Sequence, residues 1–129
     1  MNNIRVPVSP GEVLDKITIL EIKSERMTDP EKLANVRFEL ELLRRTWAGA
    51  VADDEITLAL YDQLKAINQA LWDIEDGIRD KERAAEFDEQ FIQLARRVYV
   101  TNDQRSQLKR RINLHLGSSV IEEKSYQDY

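Results

Sequence analysis

Apolar residues recur at three- and four-residue spacing in four stretches of the chain, and each stretch opens on a helix-start signal. Ser9-Pro10-Gly11-Glu12 supplies the first. Ser9 can cap, Pro10 suits the first helical position, and Glu12 stands where a capping-box partner belongs. The helix predicted over about 10–27 carries Val13, Leu14, Ile17, Leu20, Ser24 and Met27 as its main stripe. Ile19 and Ile22 add apolar surface on another side, so more than one neighbour should flank it. Asp29-Pro30-Glu31 repeats the signal for a second helix over about 30–48, with Leu33, Val36, Arg37, Leu40, Leu43 and Trp47 in period. Only a turn near Thr28-Asp29 separates the two, which predicts a helical hairpin. Past the small-residue linker Ala48–Ala52, Asp53-Asp54-Glu55 places acids at the start of a third helix, where the macrodipole favours them. Its stripe is Leu60, Tyr61, Leu64, Ile67, Leu71, Ile74 and Ile78, and it reaches about residue 84. Asp88 caps a fourth helix over about 88–116, with Phe91, Leu94, Ala95, Val98, Leu108, Ile112 and Leu116 on one face and Gly117 to end it.

The fold expected is all-α: an antiparallel bundle of four helices in a single domain, residues 1–129, with roughly 70–75% of the chain helical. Ile4–Val8 alternates around Pro7 and reads as a short extended arm, at most an edge strand. The tail Ser118–Tyr129 would pair with that arm or lie on the bundle. Two helices of about 30 residues span roughly 45 Å, against roughly 28 Å for two of about 18. The long hairpin therefore outreaches the short one, and its overhanging apolar surface predicts a homodimer.

Composition removes whole classes of function. Among 129 residues there is no Cys and one His, His115. That excludes disulfide scaffolds, thiolate sites, iron–sulfur clusters and Cys nucleophiles. A di-iron bundle needs Glu-x-x-His motifs, and the residue three before His115 is Ile112. Gly-rich phosphate loops and nucleophile elbows are missing, so no metal, cofactor or catalytic residue is expected. Trp47 and Trp72 read as core anchors. The N-terminus, Met1-Asn2-Asn3-Ile4-Arg5, has no apolar signal core, and no stretch approaches the roughly 18 apolar residues of a membrane span. A cytoplasmic protein without membrane insertion is expected.

The net charge of −5 argues against nucleic acid as a partner, but it is unevenly spread. Residues 53–90 carry twelve acids and four bases, whereas residues 91–116 carry six bases and one acid. Facing helices of opposite charge would show this pattern, and so would an anion-binding strip beside an acidic face.

The stripes break at polar residues. On the fourth helix the core-facing positions after Val98 are Thr101, Asn102 and Arg105, before Leu108 resumes the period; on the third they include Asn68 and Glu75. If the two helices pair antiparallel about residue 86, Asn68 lies opposite residue 104, which predicts one polar layer midway along the bundle. Arg105 stays charged and, if buried, needs a carboxylate, carbonyls or a ligand anion. Asp103, Glu75, Asp15 and Glu21 are its candidate partners. Lys109-Arg110-Arg111, one turn on, adds a basic helix end.

The chain resembles a family of small bacterial and phage proteins known as a domain of unknown function. The resemblance lies in Val8-Ser9-Pro10-Gly11-Glu12-Val13-Leu14-Asp15-Lys16-Ile17-Thr18-Ile19-Leu20-Glu21-Ile22-Lys23, in Leu71-Trp72-Asp73-Ile74-Glu75-Asp76, in Thr101-Asn102-Asp103-Gln104-Arg105, in Lys109-Arg110-Arg111-Ile112-Asn113, and in Glu122-Glu123-Lys124-Ser125-Tyr126. It implies no established activity; the context it implies is that of relatives beside, or fused to, proteins of surface-polysaccharide assembly.

Two functions follow. One is a non-catalytic interaction or assembly module, whose polar layer sets helix register and whose charged faces meet a protein partner. The other is a small helical enzyme or binding protein in which Lys16, Asn68, Asn102, Arg105 and Lys109 grip an acidic small molecule. A carboxylate on Arg105 favours the first, and an unpaired Arg105 in a cavity favours the second.

Overall fold

The computed structural model describes residues 3–129; Met1 and Asn2, the start of the segment read above for a signal core, lie outside the described residues. Four helices follow in order: α1 Pro10–Arg26, α2 Pro30–Ala50, α3 Glu55–Arg83 and α4 Glu89–His115. They take up 74% of the described residues, and there is no strand among these. The arm before Ser9 is exposed and without regular structure, so it makes no edge strand.

Each helix begins as its sequence dictates. Ser9, Asp29, Asp54 and Asp88 are the N-caps, and their side chains accept from the backbone N–H of Glu12, Glu31, Thr57 and Phe91. The capping box at Ser9 is only half made, because the Glu12 carboxylate goes to Lys109 Nζ at 2.8 Å.

α1 is the hub of the bundle. It packs against α2, α3 and α4, while α2 approaches neither α3 nor α4 along its backbone. The core collects Leu14, Ile17 and Leu20 of α1, Val36, Leu40 and Trp47 of α2, Leu60 and Leu64 of α3, and Leu108 and Ile112 of α4. The breadth of apolar surface on α1 is thus used on three sides, and Ile22 is buried with the main stripe.

α1 closes tightly on α4 at Gly11. A Cβ there would stand 2.5 Å from the carbonyl oxygen of Lys109 and 2.8 Å from Asn113 Oδ1. The Gly11 N–H uses that closeness to donate to Asn113 Oδ1 at 2.7 Å. At its other end α1 stops beside Asp73 and Trp72, with the Arg26 guanidinium bonded to Asp73 and 5.9 Å from the Trp72 ring. Trp47 is a core residue, as its period predicts, but Trp72 is half-buried under that guanidinium. Beyond Ile74, which is still buried, α3 and α4 project for about nine residues, or about 14 Å, as a two-helix hairpin.

Candidate functional site

The polar layer centres on one carboxylate. Asp15 is 2% exposed, on the α1 face turned toward α3 and α4. Arg105 of α4 meets it bidentately, with Nε donating to Oδ1 at 2.9 Å and Nη2 donating to Oδ2. Asn68 of α3 donates to the same Oδ1 at 2.9 Å and to Thr18 Oγ1 at 2.9 Å. The Thr18 hydroxyl in turn donates to the Asp15 carbonyl at 2.8 Å. A carboxylate this dry would be costly alone; here both oxygens carry charge-assisted or amide bonds. The Asp15 carboxylate holds the Arg105 guanidinium still more firmly protonated than usual, against the opposing effect of burial. Three helices are pinned to one another through a single side chain.

Lys109 forms a second node one turn along α4. Its ammonium lies 2.8 Å from Glu12 of α1 and 2.8 Å from Glu122 of the tail. Burial pushes this ammonium toward its neutral form, and the two carboxylates more than reverse that, so its pKa rises. Asn102 is half-buried and lines the groove between α4 and the tail together with Arg105, Ser106 and Lys109.

The remaining sequence candidates lie elsewhere. Lys16 is one residue, about 100° of helix, from Asp15; it is exposed and pairs with Glu39 of α2 at 3.2 Å. Glu75 shares the Asn68 face but stands two turns nearer the tip, exposed, with Arg79 at 3.5 Å. Asp103 faces away from Arg105 and pairs with Lys124 of the tail at 2.6 Å. Glu21 belongs to a separate cluster: it accepts from the Tyr61 hydroxyl and from Arg44 Nη2 at 3.2 Å. Burial and the bond to Glu21 push the Tyr61 hydroxyl well above the usual phenol range.

Three participants were not singled out from the sequence. Thr18 sits on the core stripe between Leu14 and Glu21, so the rule that found Asn68 would have found it. Asn113 is four residues from Lys109 and contiguous with Ile112, and the same holds. The Tyr61–Glu21 bond joins residues 40 apart on different helices, and no periodicity signals it.

This geometry joins helices: Asp15 ties α1 to α3 and α4, and Lys109 ties α4 to α1 and to the tail. A comparison with curated proteins and one with solved structures find no match. The sequence profile described as "Family of unknown function (DUF6165)" matches residues 4–129, and the chain belongs to that family.

Proposed function

We propose that this protein is a non-catalytic helical interaction module that acts as a homodimer. The observation that carries the reading is the Arg105–Asp15 pair: the Nε–Nη2 edge of the guanidinium is committed to a carboxylate of its own chain. The layer therefore fixes the register of α1 against α3 and α4, a use for which buried polar groups are suited. An unpaired Arg105 in a cavity would have supported a small-molecule site, and that arrangement is not present.

The second copy belongs on the projecting half of the hairpin. There Ile78, Phe91, Leu94 and Val98 are only half-buried, and Phe87 and Ile92 are exposed. Two such hairpins laid together would give the tip a four-helix cross-section, covering the seam that α1 covers in the lower half. No helix among the described residues is long and apolar enough to cross a membrane, and a cytoplasmic location is part of the proposal.

Light scattering coupled to size exclusion tests it. A mass near twice 15.1 kDa is expected, and Ile92→Lys, an exposed substitution on the tip, should return the monomer with its helix content intact. A monomer at high micromolar concentration in the unmodified chain would overturn the dimer.

A further inference from the structure

The tail Ser118–Tyr129 runs back along α4 without regular structure. Its anchors are side-chain charges: Glu122 on Lys109 at 2.8 Å, Glu123 on Arg110 at 2.9 Å, and Lys124 on Asp103 at 2.6 Å. Tyr129 adds a ring contact to Tyr99 at 5.2 Å. Of its apolar residues Ile121 is half-buried, while Val120, Tyr126 and Tyr129 are exposed. The Glu123–Arg110 pair is exposed, and pairs of this kind are weak and screened by salt, whereas the Glu122 carboxylate reaches a largely buried ammonium.

The surface beneath the tail is of a different quality. Asn102, Arg105, Ser106 and Lys109 line one face of α4 at helical spacing, and Arg110 flanks them. Their side chains present amide, guanidinium, hydroxyl and ammonium donors; Arg105 spends one edge on Asp15, and Lys109 shares its ammonium between Glu12, which also lines the groove, and the tail's Glu122. Lys109 is nine-tenths buried. The tail leaves an open groove of about 670 Å³ between itself and this face. A donor-rich, cationic strip covered by a loosely held acidic peptide is the arrangement of a recognition surface with its own ligand in place.

We infer that this face of α4 is a docking groove for an extended acidic peptide segment of a partner protein, and that Glu122-Glu123 of the tail occupies it as an internal competitor. The inference rests on the interaction-module reading and gives that module a class of partner. A tethered segment competes at an effective concentration of about millimolar. Intermolecular segments of similar chemistry must therefore bind tightly, or the tail must first be displaced. Complementary charge and an already extended occupant both favour a strand-like acidic segment over a rigid helix.

The test uses the full chain carrying Glu122→Gln and Glu123→Gln, which leaves the folded helices untouched. Its probe is a fluorescent synthetic peptide of residues Ser118–Tyr129. Anisotropy should show binding to the variant, about tenfold or more weaker binding to the unmodified chain, and loss of binding at about 0.5 M salt. The same peptide with both glutamates replaced by glutamine should not bind. Adding the exposed Arg110→Glu to the variant should weaken binding without touching the buried layer. Absence of binding to the variant, equal binding to both chains, or indifference to the peptide's glutamates would each overturn the groove. A dimeric mass with no peptide binding would remove the groove alone, and a monomeric mass with peptide binding would remove the dimer alone.

Discussion

The two halves of the α3–α4 hairpin are made of the same kinds of residue and behave differently. In the lower half, Leu60, Leu64, Leu108 and Ile112 are buried, because α1 fills the seam between the helices. In the upper half, Ile78, Phe91, Leu94 and Val98 continue the same stripes and are only half-buried. The difference is α1, which stops beside Asp73. Polar chemistry divides along the same line. Asp15, Thr18 and Asn68 are desolvated where three helices converge, whereas the charges of the tip form exposed pairs such as Glu75–Arg79 and Asp80–Arg83. Periodicity reports which side of a helix faces a partner; it does not report how many partners meet there.

The sharpest way to break the comparison is to remove one arginine from each half. Arg105→Ala strands a carboxylate that is 2% exposed and should destabilise the fold by about 3–5 kcal/mol. Arg79→Ala removes an exposed pair on the tip and should change stability by no more than about 0.5 kcal/mol. Urea denaturation of the two variants measures both. Arg105→Leu combined with Asp15→Asn should recover much of the loss, because the uncompensated charge is then gone. Equal effects in the two halves would end the distinction drawn above.

Leucine truncations grade the same contrast. Leu64 is fully buried, and Leu64→Ala should cost about 2–5 kcal/mol. Leu94→Ala, at a half-buried seam position, should cost about half as much. If the dimer forms on the tip, the Leu94→Ala cost should grow with protein concentration, because association adds to the stability of the folded state. The Leu64→Ala cost should not.

Two glycines sharpen the picture. At Gly11 an added methyl meets the Lys109 carbonyl at 2.5 Å, backbone against backbone, so Gly11→Ala should cost about 1–3 kcal/mol. At Gly77 the neighbour is a methyl of Leu94 at 3.2 Å, a flexible side chain on the loosely packed tip. There the helix-propensity gain of about 1 kcal/mol offsets the crowding, and Gly77→Ala should be near neutral.

How much of this was legible follows from the range of each signal. The helix starts were readable because caps are local: Ser9, Asp29, Asp54 and Asp88 each act within four residues. The four-helix architecture followed from the stripes, and so did the polar layer, since a polar residue at a core position must find a partner. Antiparallel pairing about residue 86 placed Asn68 near Arg105, and the two meet on Asp15. The choice of Asp15 over Glu21 was not legible, because it depends on how α1 is rotated about its axis. Lys16 was misplaced for the same reason, one step of 100° being enough to carry it to the α2 side. The path of the tail was left open because its anchors are long-range ion pairs, which leave no period in the sequence.

Solution pH bears on the lower half through Tyr61. Its protonated form is favoured in the fold by burial and by the bond to Glu21, whereas an unfolded tyrosine ionises near pH 10. Stability from this group is therefore full below about pH 10 and falls as pH rises above it, because the unfolded chain releases a proton the folded chain keeps. Absorbance titration should show a late-ionising phenol that is absent in Tyr61→Phe.

A small stabilising effect is expected at the turn that closes the tip. α3 and α4 end in the same hydrogen-bonded motif. After α3, Ala85 N–H donates to the Glu82 carbonyl at 3.0 Å and Glu86 N–H to the Lys81 carbonyl at 3.0 Å. After α4, Gly117 N–H donates to Leu114 at 3.3 Å and Ser118 N–H to Asn113 at 2.9 Å. Both motifs need a left-handed residue at the first position beyond the cap, and the φ values are +55° for Ala85 and +67° for Gly117. A side chain at such a position costs roughly 1–2 kcal/mol, part of which glycine gives back through the greater freedom of its unfolded chain. Ala85→Gly should therefore stabilise the protein by about 0.5–1 kcal/mol, and Gly117→Ala should destabilise it by about the same. The gain at Ala85 belongs to the tip alone. If local opening of the tip precedes global unfolding, hydrogen exchange of the amides around residues 78–94 should slow in Ala85→Gly while those around Leu64 hold their rates. If instead both sets slow together, the hairpin opens as one unit, and the division between its halves is one of packing and not of cooperativity.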